Sequence, residues 1–255
     1  MTGFPPTSPS SAPSAFYRIA VIGCLLALLC GTILVTSGFG YRWGWWGLRV
    51  AFTMFTWSAY GGIAAGVASL VSLIAVALGA APGAAGFALC GLLVSLVVVG
   101  APWTQMRRAR SVPPIHDITT DTQNPPAFVA VLPLRASAPN SADYGGPEIA
   151  AQQRAAYPDI QPVVLAVPAA QAFQRALAAA RASGWHLVAN DSTAGRIEAT
   201  ATTFWFGFKD DVVIRLTPTG GGTRVDVRSE SRVGRSDIGT NARRIREYLK
   251  KLNGA

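Results

Sequence analysis

Residues 223–232 read Thr-Arg-Val-Asp-Val-Arg-Ser-Glu-Ser-Arg. Arg224, Asp226, Arg228, Glu230 and Arg232 fall on one parity, and Val225, Val227, Ser229 and Ser231 fall on the other. A period of two is that of a β-strand, whose successive side chains point to opposite faces. One face of this strand is therefore a ladder of alternating sign, spaced to form pairs along the strand and across to a neighbour.

Working outward, Thr219-Gly220-Gly221-Gly222 reads as a hairpin turn. It is not a phosphate loop, because no Lys-Ser/Thr follows the glycines. Earlier strands are predicted at 185–190, 195–204 and 210–217. Ile197, Ala199 and Ala201 share one face of the second, and Val212, Ile214 and Leu216 share one face of the third. Val163–Val167 is a further short buried strand, after which Pro168 opens a helix with Phe173, Leu177 and Ala180 on its apolar side and Gly184 at its end. Beyond the ladder, Ile238, Ala242, Ile245, Leu249 and Leu252 form the buried stripe of a helix over 237–252, with Asp237 as its N-cap. The order β-α-β-β-β-β-α predicts an α+β fold, a two-layer sandwich with an antiparallel sheet. Helices cover one face, and the charged ladder lies on an open, solvated face. This domain is assigned to 162–255. Residues 107–161 read as an irregular Pro-rich arm, with a short strand at Phe128–Leu134.

The chain upstream is of another kind. Residues 1–106 contain no Asp, Glu or Lys and only Arg18, Arg42 and Arg49, while all 13 acidic and 19 of the 22 basic residues lie from Arg107 onward. Charge is costly in hydrocarbon, so this asymmetry indicates a membrane region, 16–106, followed by an aqueous one. Residues 1–15, rich in Pro and Ser, read as a disordered tail. Phe16 to Thr36 is long enough for one span. It is too long for a signal-peptide core, and Val21-Ile22-Gly23-Cys24 is a poor lipoprotein box because the apolar run follows the Cys. Gly40-Tyr41-Arg42-Trp43-Gly44-Trp45-Trp46 is an interfacial aromatic loop. Residues 50–101 carry no charge and divide at Gly79-Ala80-Ala81-Pro82-Gly83 into spans at 55–79 and 84–102. Three transmembrane helices result. Cys24, Cys30 and Cys90 all lie in these apolar stretches, so no disulfide framework is implied. Arg42, Arg49, Arg107, Arg108 and Arg110 lie on the domain side against Arg18 on the other. This places the domain in the cytoplasm of a multi-pass inner-membrane protein of bacterial type.

The soluble part carries no catalytic constellation. Asp210-Asp211 supplies paired carboxylates, and with His116 it is the one hydrolase candidate, but ion pairing to Arg228 or Arg232 is the simpler role. His116 and His186 lack metal-ligand spacing, so no metal and no cofactor is expected. The basic residues are interleaved with acids, which argues against nucleic acid as a partner. The best site lies at the junction of ladder and last helix. There Arg228, Arg232, Arg235, Asn241 and Arg244 are placed to converge on an anionic ligand. The competing reading is a charged network with Asp210, Asp211, Asp226, Glu230 and Asp237 that fixes the sheet to the helix.

Pro114-Ile115-His116-Asp117-Ile118-Thr119-Thr120-Asp121, Tyr157-Pro158-Asp159, Phe208-Lys209-Asp210-Asp211 and Arg228–Asn241 followed by Arg244-Ile245 form one pattern. Together they resemble the domain of unknown function 1499 family over residues 113–252. The resemblance implies no activity. Some relatives look exported, which implies a periplasmic placement as the alternative. The expected function is a membrane-anchored binding or interaction module whose partners are the lipid bilayer and an anionic ligand, lipid headgroup or protein. The alternative is a membrane-bound hydrolase.

Overall fold

The computed structural model describes residues 14–254, so the tail assigned to 1–15 lies almost wholly outside the described residues. The chain divides into two compact units, residues 1–104 and 105–255.

The first unit is built from α1 (Ala15–Arg42), α2 (Leu48–Ala77) and α3 (Ala85–Ser111), the last continuing into the second unit. All three are long and apolar enough to cross a membrane. Against the spans expected at 16–36, 55–79 and 84–102, α1 and α3 run on at their C-terminal ends and α2 begins earlier, while α2 stops two residues sooner and α3 starts one residue later. Gly79 and Gly83, both at positive φ, form the break between α2 and α3. Gly40 has no Cβ, and the Trp46 ring occupies the space one would fill while its Nε1 donates to the Ser37 carbonyl at 3.1 Å. The helices pack through small residues. Gly23 faces Ser69 and Ala65, Gly62 faces Val98, and Gly91 lies against Ser69 and the Cys24 backbone.

The second unit contains β1 (Asp117–Thr119), a 3-10 turn (Leu132–Arg135), α4 (Gly146–Ala156), β2 (Val163–Leu165), α5 (Ala169–Ala182), β3 (His186–Asp191), β4 (Arg196–Thr202), β5 (Lys209–Thr219), β6 (Gly222–Ser231) and α6 (Thr240–Asn253). The sheet order is β1-β6-β5-β4-β3, all antiparallel, with β2 also pairing β6. The predicted α+β sheet and its helices are present. α5 and α6 cover one face, where Phe173, Leu177, Ile245, Tyr248 and Leu252 meet Ile197, Val212, Ile214, Val225 and Val227. Burying these side chains is the main stabilising term of the domain, about 1.5–3 kcal/mol for each large one. Tyr248 stacks on Trp185 and donates to the Ala176 carbonyl at 3.2 Å.

The other face is not open. Residues 126–144 lie over it, and Phe128 and Val131 pack on Val213. The expected strand at Phe128–Leu134 does not form. The Val129 and Val131 amides, which a strand would offer to a neighbour, instead donate to the Glu198 carboxylate at 3.0–3.1 Å. The segment 107–161 also supplies β1 and α4, so it is a structured part of the domain rather than an irregular arm.

Candidate functional site

The alternation of β6 places its charged residues beneath this cover. Asp226, Arg228 and Glu230 are buried, with Arg228 only 2% exposed. The expectation of a solvated ladder therefore gives way to a buried one. Alternating signs can remove one another's charge as well as face water, and here residues 126–144 exclude the water.

Arg228 is fully engaged. Its Nε and Nη2 meet the two Asp117 oxygens at 2.9 and 2.8 Å. Nη2 also donates to Glu230 at 3.2 Å and to the Ala142 carbonyl at 2.8 Å, and Nη1 to the Pro126 carbonyl at 3.3 Å. The guanidinium lies 4.7 Å from the Phe128 ring centre and 5.6 Å from that of Tyr144. Glu230 passes the chain of contacts to Arg135 at 2.9 Å, and Arg135 passes it to Asp211 at 2.8 Å. Asp211 binds Arg232 through both oxygens at 2.8 Å and accepts from the Thr200 hydroxyl at 2.7 Å. Arg232 Nη1 donates to the Leu134 carbonyl at 2.8 Å. The result is a continuous chain, Asp117–Arg228–Glu230–Arg135–Asp211–Arg232, with three carboxyls and three guanidiniums. A second cluster joins Asp121 and Asp226 to Arg215 and Arg224.

Burial sets the acidity. It pushes the Glu230 carboxyl up to about 8, aided by the neighbouring Asp117 and opposed by Arg135 and Arg228. Burial also raises Asp117, against the pull of Arg228. It would raise Asp211 too, but the hydrogen bonds from Arg232, Thr200 and Arg135 outweigh it and hold that carboxyl below the usual range. Tyr144, half-buried near Asp117, is pushed up to about 12 by the burial of its hydroxyl and by that carboxyl. Its hydroxyl and Arg135 Nε are buried without a hydrogen-bond partner.

Asp210 is on the opposite face. It accepts from Arg244 Nη2 at 2.5 Å. Arg244 Nη1 donates to Asn241 and to the Ser229 hydroxyl, and Asn241 Nδ2 donates to the His116 carbonyl at 2.8 Å and to Ser231 Oγ at 3.0 Å. The N-cap of α6 is Gly239, at φ +77°, and the helix starts at Thr240, so Asp237 is not the expected N-cap but lies two residues before that position. Its oxygens accept from the Gly239 and Asn241 amides at 2.9 and 2.6 Å, and burial raises its carboxyl. Ile238 between them is held at φ +49°, a left-handed conformation costly for a β-branched residue.

The five residues placed on one anion are thus divided. Arg228 and Arg232 face residues 126–144, Arg244 and Asn241 lie under α6, and Arg235 is exposed in the loop between β6 and α6. Asp210 and Asp211 point to opposite faces, as neighbours in a strand must. They do not form an acid–base pair. His116 Nδ1 lies 3.4 Å from the Arg235 carbonyl. Among the described residues no group of three His, Cys, Asp or Glu side chains is placed to hold a metal ion.

Sequence reading missed Asp117, Arg135, Glu198 and Tyr144 as network members. Arg135 left a trace, being the only charged residue between Asp121 and Asp143. A lone charge in an apolar and Pro-rich stretch needs a partner elsewhere.

A six-stranded antiparallel sheet with two helices on one face and a buried ion network on the other defines the domain. Residues 117–252 match the family described as protein of unknown function (DUF1499), and the chain belongs to that family. No curated protein matches the chain.

Proposed function

We propose that the protein is a membrane-anchored interaction module, held by three spans of the inner membrane with its DUF1499 domain on the cytoplasmic side. The observation that carries the anchor is the inverted packing of α1–α3. Gly23, Ala27, Ser37, Ser58, Ser69 and Ser95 are buried, whereas Ile22, Leu25, Trp57, Leu96 and Val97 are each more than 60% exposed. Water would reverse that order, while hydrocarbon tolerates it and lets small residues carry the helix contacts. The side rests on five arginines next to the domain against Arg18 at the far end.

A binding or interaction role rather than hydrolysis is supported by how the polar residues are used. The arginines and carboxylates of the ladder are committed to one another and to residues 126–144, which favours a network that fixes the cover to the sheet. An anionic ligand would instead meet exposed cations such as Arg235. Metal analysis of the purified full chain tests the reading. We expect no stoichiometric metal; bound metal that is lost in Asp210→Ala would overturn it in favour of a hydrolase. A reporter active only in the periplasm, fused after Ala255, is expected to stay silent, and activity there would reverse the side.

A further inference from the structure

A shallow groove runs along the first turns of α2, lined by Arg49, Phe52, Thr53, Thr56 and Trp57. These residues fall at i, i+3, i+4, i+7 and i+8, which is one face of a helix. The other face, with Ala51, Ser58 and Gly62, is the buried one. The groove side looks outward. Trp57 is 68% exposed, and Tyr60, the next residue of the same face, meets it edge-on at 5.9 Å. The Thr53 and Thr56 hydroxyls donate to the Arg49 and Phe52 carbonyls, each at 2.9 Å, so their hydrogens are committed to the helix itself.

Arg49 is the only charged residue of α2, and it is exposed. The first acidic residue of the chain is Asp117, in the second unit. The first unit therefore contains no carboxylate that could pair with Arg49, and the counter-charge of the groove comes from another molecule. At a bilayer the anion at hand is the phosphate of a lipid. An Arg fork takes phosphate oxygens at two points. The dimensions agree with one lipid. Arg49 follows the aromatic connector 43–46, a segment of headgroup character. Trp57 lies eight residues further on, about 12 Å along the helix, which is the depth of the upper part of an acyl chain.

We infer that this groove holds one anionic phospholipid, with its phosphate on the Arg49 guanidinium and the upper part of an acyl chain against Trp57. A zwitterionic phospholipid carries its own cation beside the phosphate and gains less from Arg49, so the groove selects net negative charge. The inference rests on the anchored reading above, and the test separates the two.

Membranes holding the full chain are first washed with alkaline carbonate. Retention is expected, and release overturns the anchor and the lipid site together. The full chain purified in detergent is then titrated with phosphatidylglycerol or phosphatidylcholine, and bound lipid is counted by native mass spectrometry. The wild type is expected to prefer phosphatidylglycerol by about fivefold, the factor that one basic residue at an anionic surface supplies. Arg49→Gln is expected to lose most of that preference, and Arg18→Gln, near the start of α1, to keep it. Equal binding of both lipids by the wild type, an unchanged preference in Arg49→Gln, or an equal loss in Arg18→Gln overturns the lipid site and leaves the anchor standing. Should Arg49→Gln fail to fold, the emission component that is lost in Trp57→Phe decides. Stronger quenching of that component by brominated phosphatidylglycerol than by brominated phosphatidylcholine supports the site, and equal quenching overturns it.

Discussion

Arg228 and Asp117 are 111 residues apart in the chain and meet as a two-point ion pair, at 2.9 and 2.8 Å, between neighbouring strands. Both are buried, so each cancels a charge the other could not carry alone. The pair fastens β1, which follows α3 in the chain, onto β6, and the rest of the network extends from it.

Arg228→Ala should therefore cost about 3–5 kcal/mol, because it leaves Asp117 buried without its ion-pair partner, while Glu230 keeps Arg135. Arg228→Met with Asp117→Leu should cost less than Arg228→Ala alone, since no unpaired charge remains. Urea unfolding of the full chain in nanodiscs, followed by the near-ultraviolet signal of the domain, measures both.

The pH dependence has a defined sign. Glu230 sits at about 8 in the fold against 4.5 for an exposed glutamate, so the folded state holds a proton that the unfolded state releases. Its contribution to stability is full below about 4.5 and is lost as pH rises through about 8. The urea midpoint should fall over that interval, with a shallower fall in Glu230→Gln. Asp211, held below the usual range, acts in the opposite sense, and its contribution is lost only in acid.

Much of this was legible beforehand and some was not, for physical reasons. The parity of β6 follows from a period of two, and so do its faces: Ser229 and Ser231 do meet Asn241 of the last helix. Parity does not say whether a charged face is wet. That depended on residues 126–144, which lack periodicity because their amides bond a side chain, Glu198, rather than a strand. β1 has three residues, too few to show alternation. The charged network was the competing reading at the junction and did not name its pairs: that Asp210 meets Arg244 and Asp211 meets Arg232 depends on the face each residue points to.

β1 is an edge strand, and Gln153 of α4 completes it. Its Nε2 donates to the Thr119 carbonyl at 2.6 Å and its Oε1 accepts from the Thr119 amide at 2.9 Å, as a further strand would. Gln153→Ala should cost about 1–3 kcal/mol by orphaning both groups. Hydrogen exchange should speed up at the Thr119 amide while that of Val213 in β5 stays slow.

Gly195 turns the β3–β4 hairpin at φ +60°, and a Cβ there would overlap the Leu216 carbonyl oxygen. Gly195→Ala should lower the urea midpoint clearly, by about 1–3 kcal/mol of backbone strain alone. Gly220→Ala, with open space around it, should leave the midpoint nearly unchanged.

The anchor itself is tested most directly by labelling intact cells with a membrane-impermeant thiol reagent. In the proposed topology three spans put the two ends of the chain on opposite sides, and the arginine bias puts the domain inside. With Cys90→Ser as background, Ser8→Cys should react in intact cells, and Val164→Cys should react only after permeabilisation. Labelling of both positions, or of neither, in intact cells would contradict three spans, and the reverse pattern would contradict the cytoplasmic side.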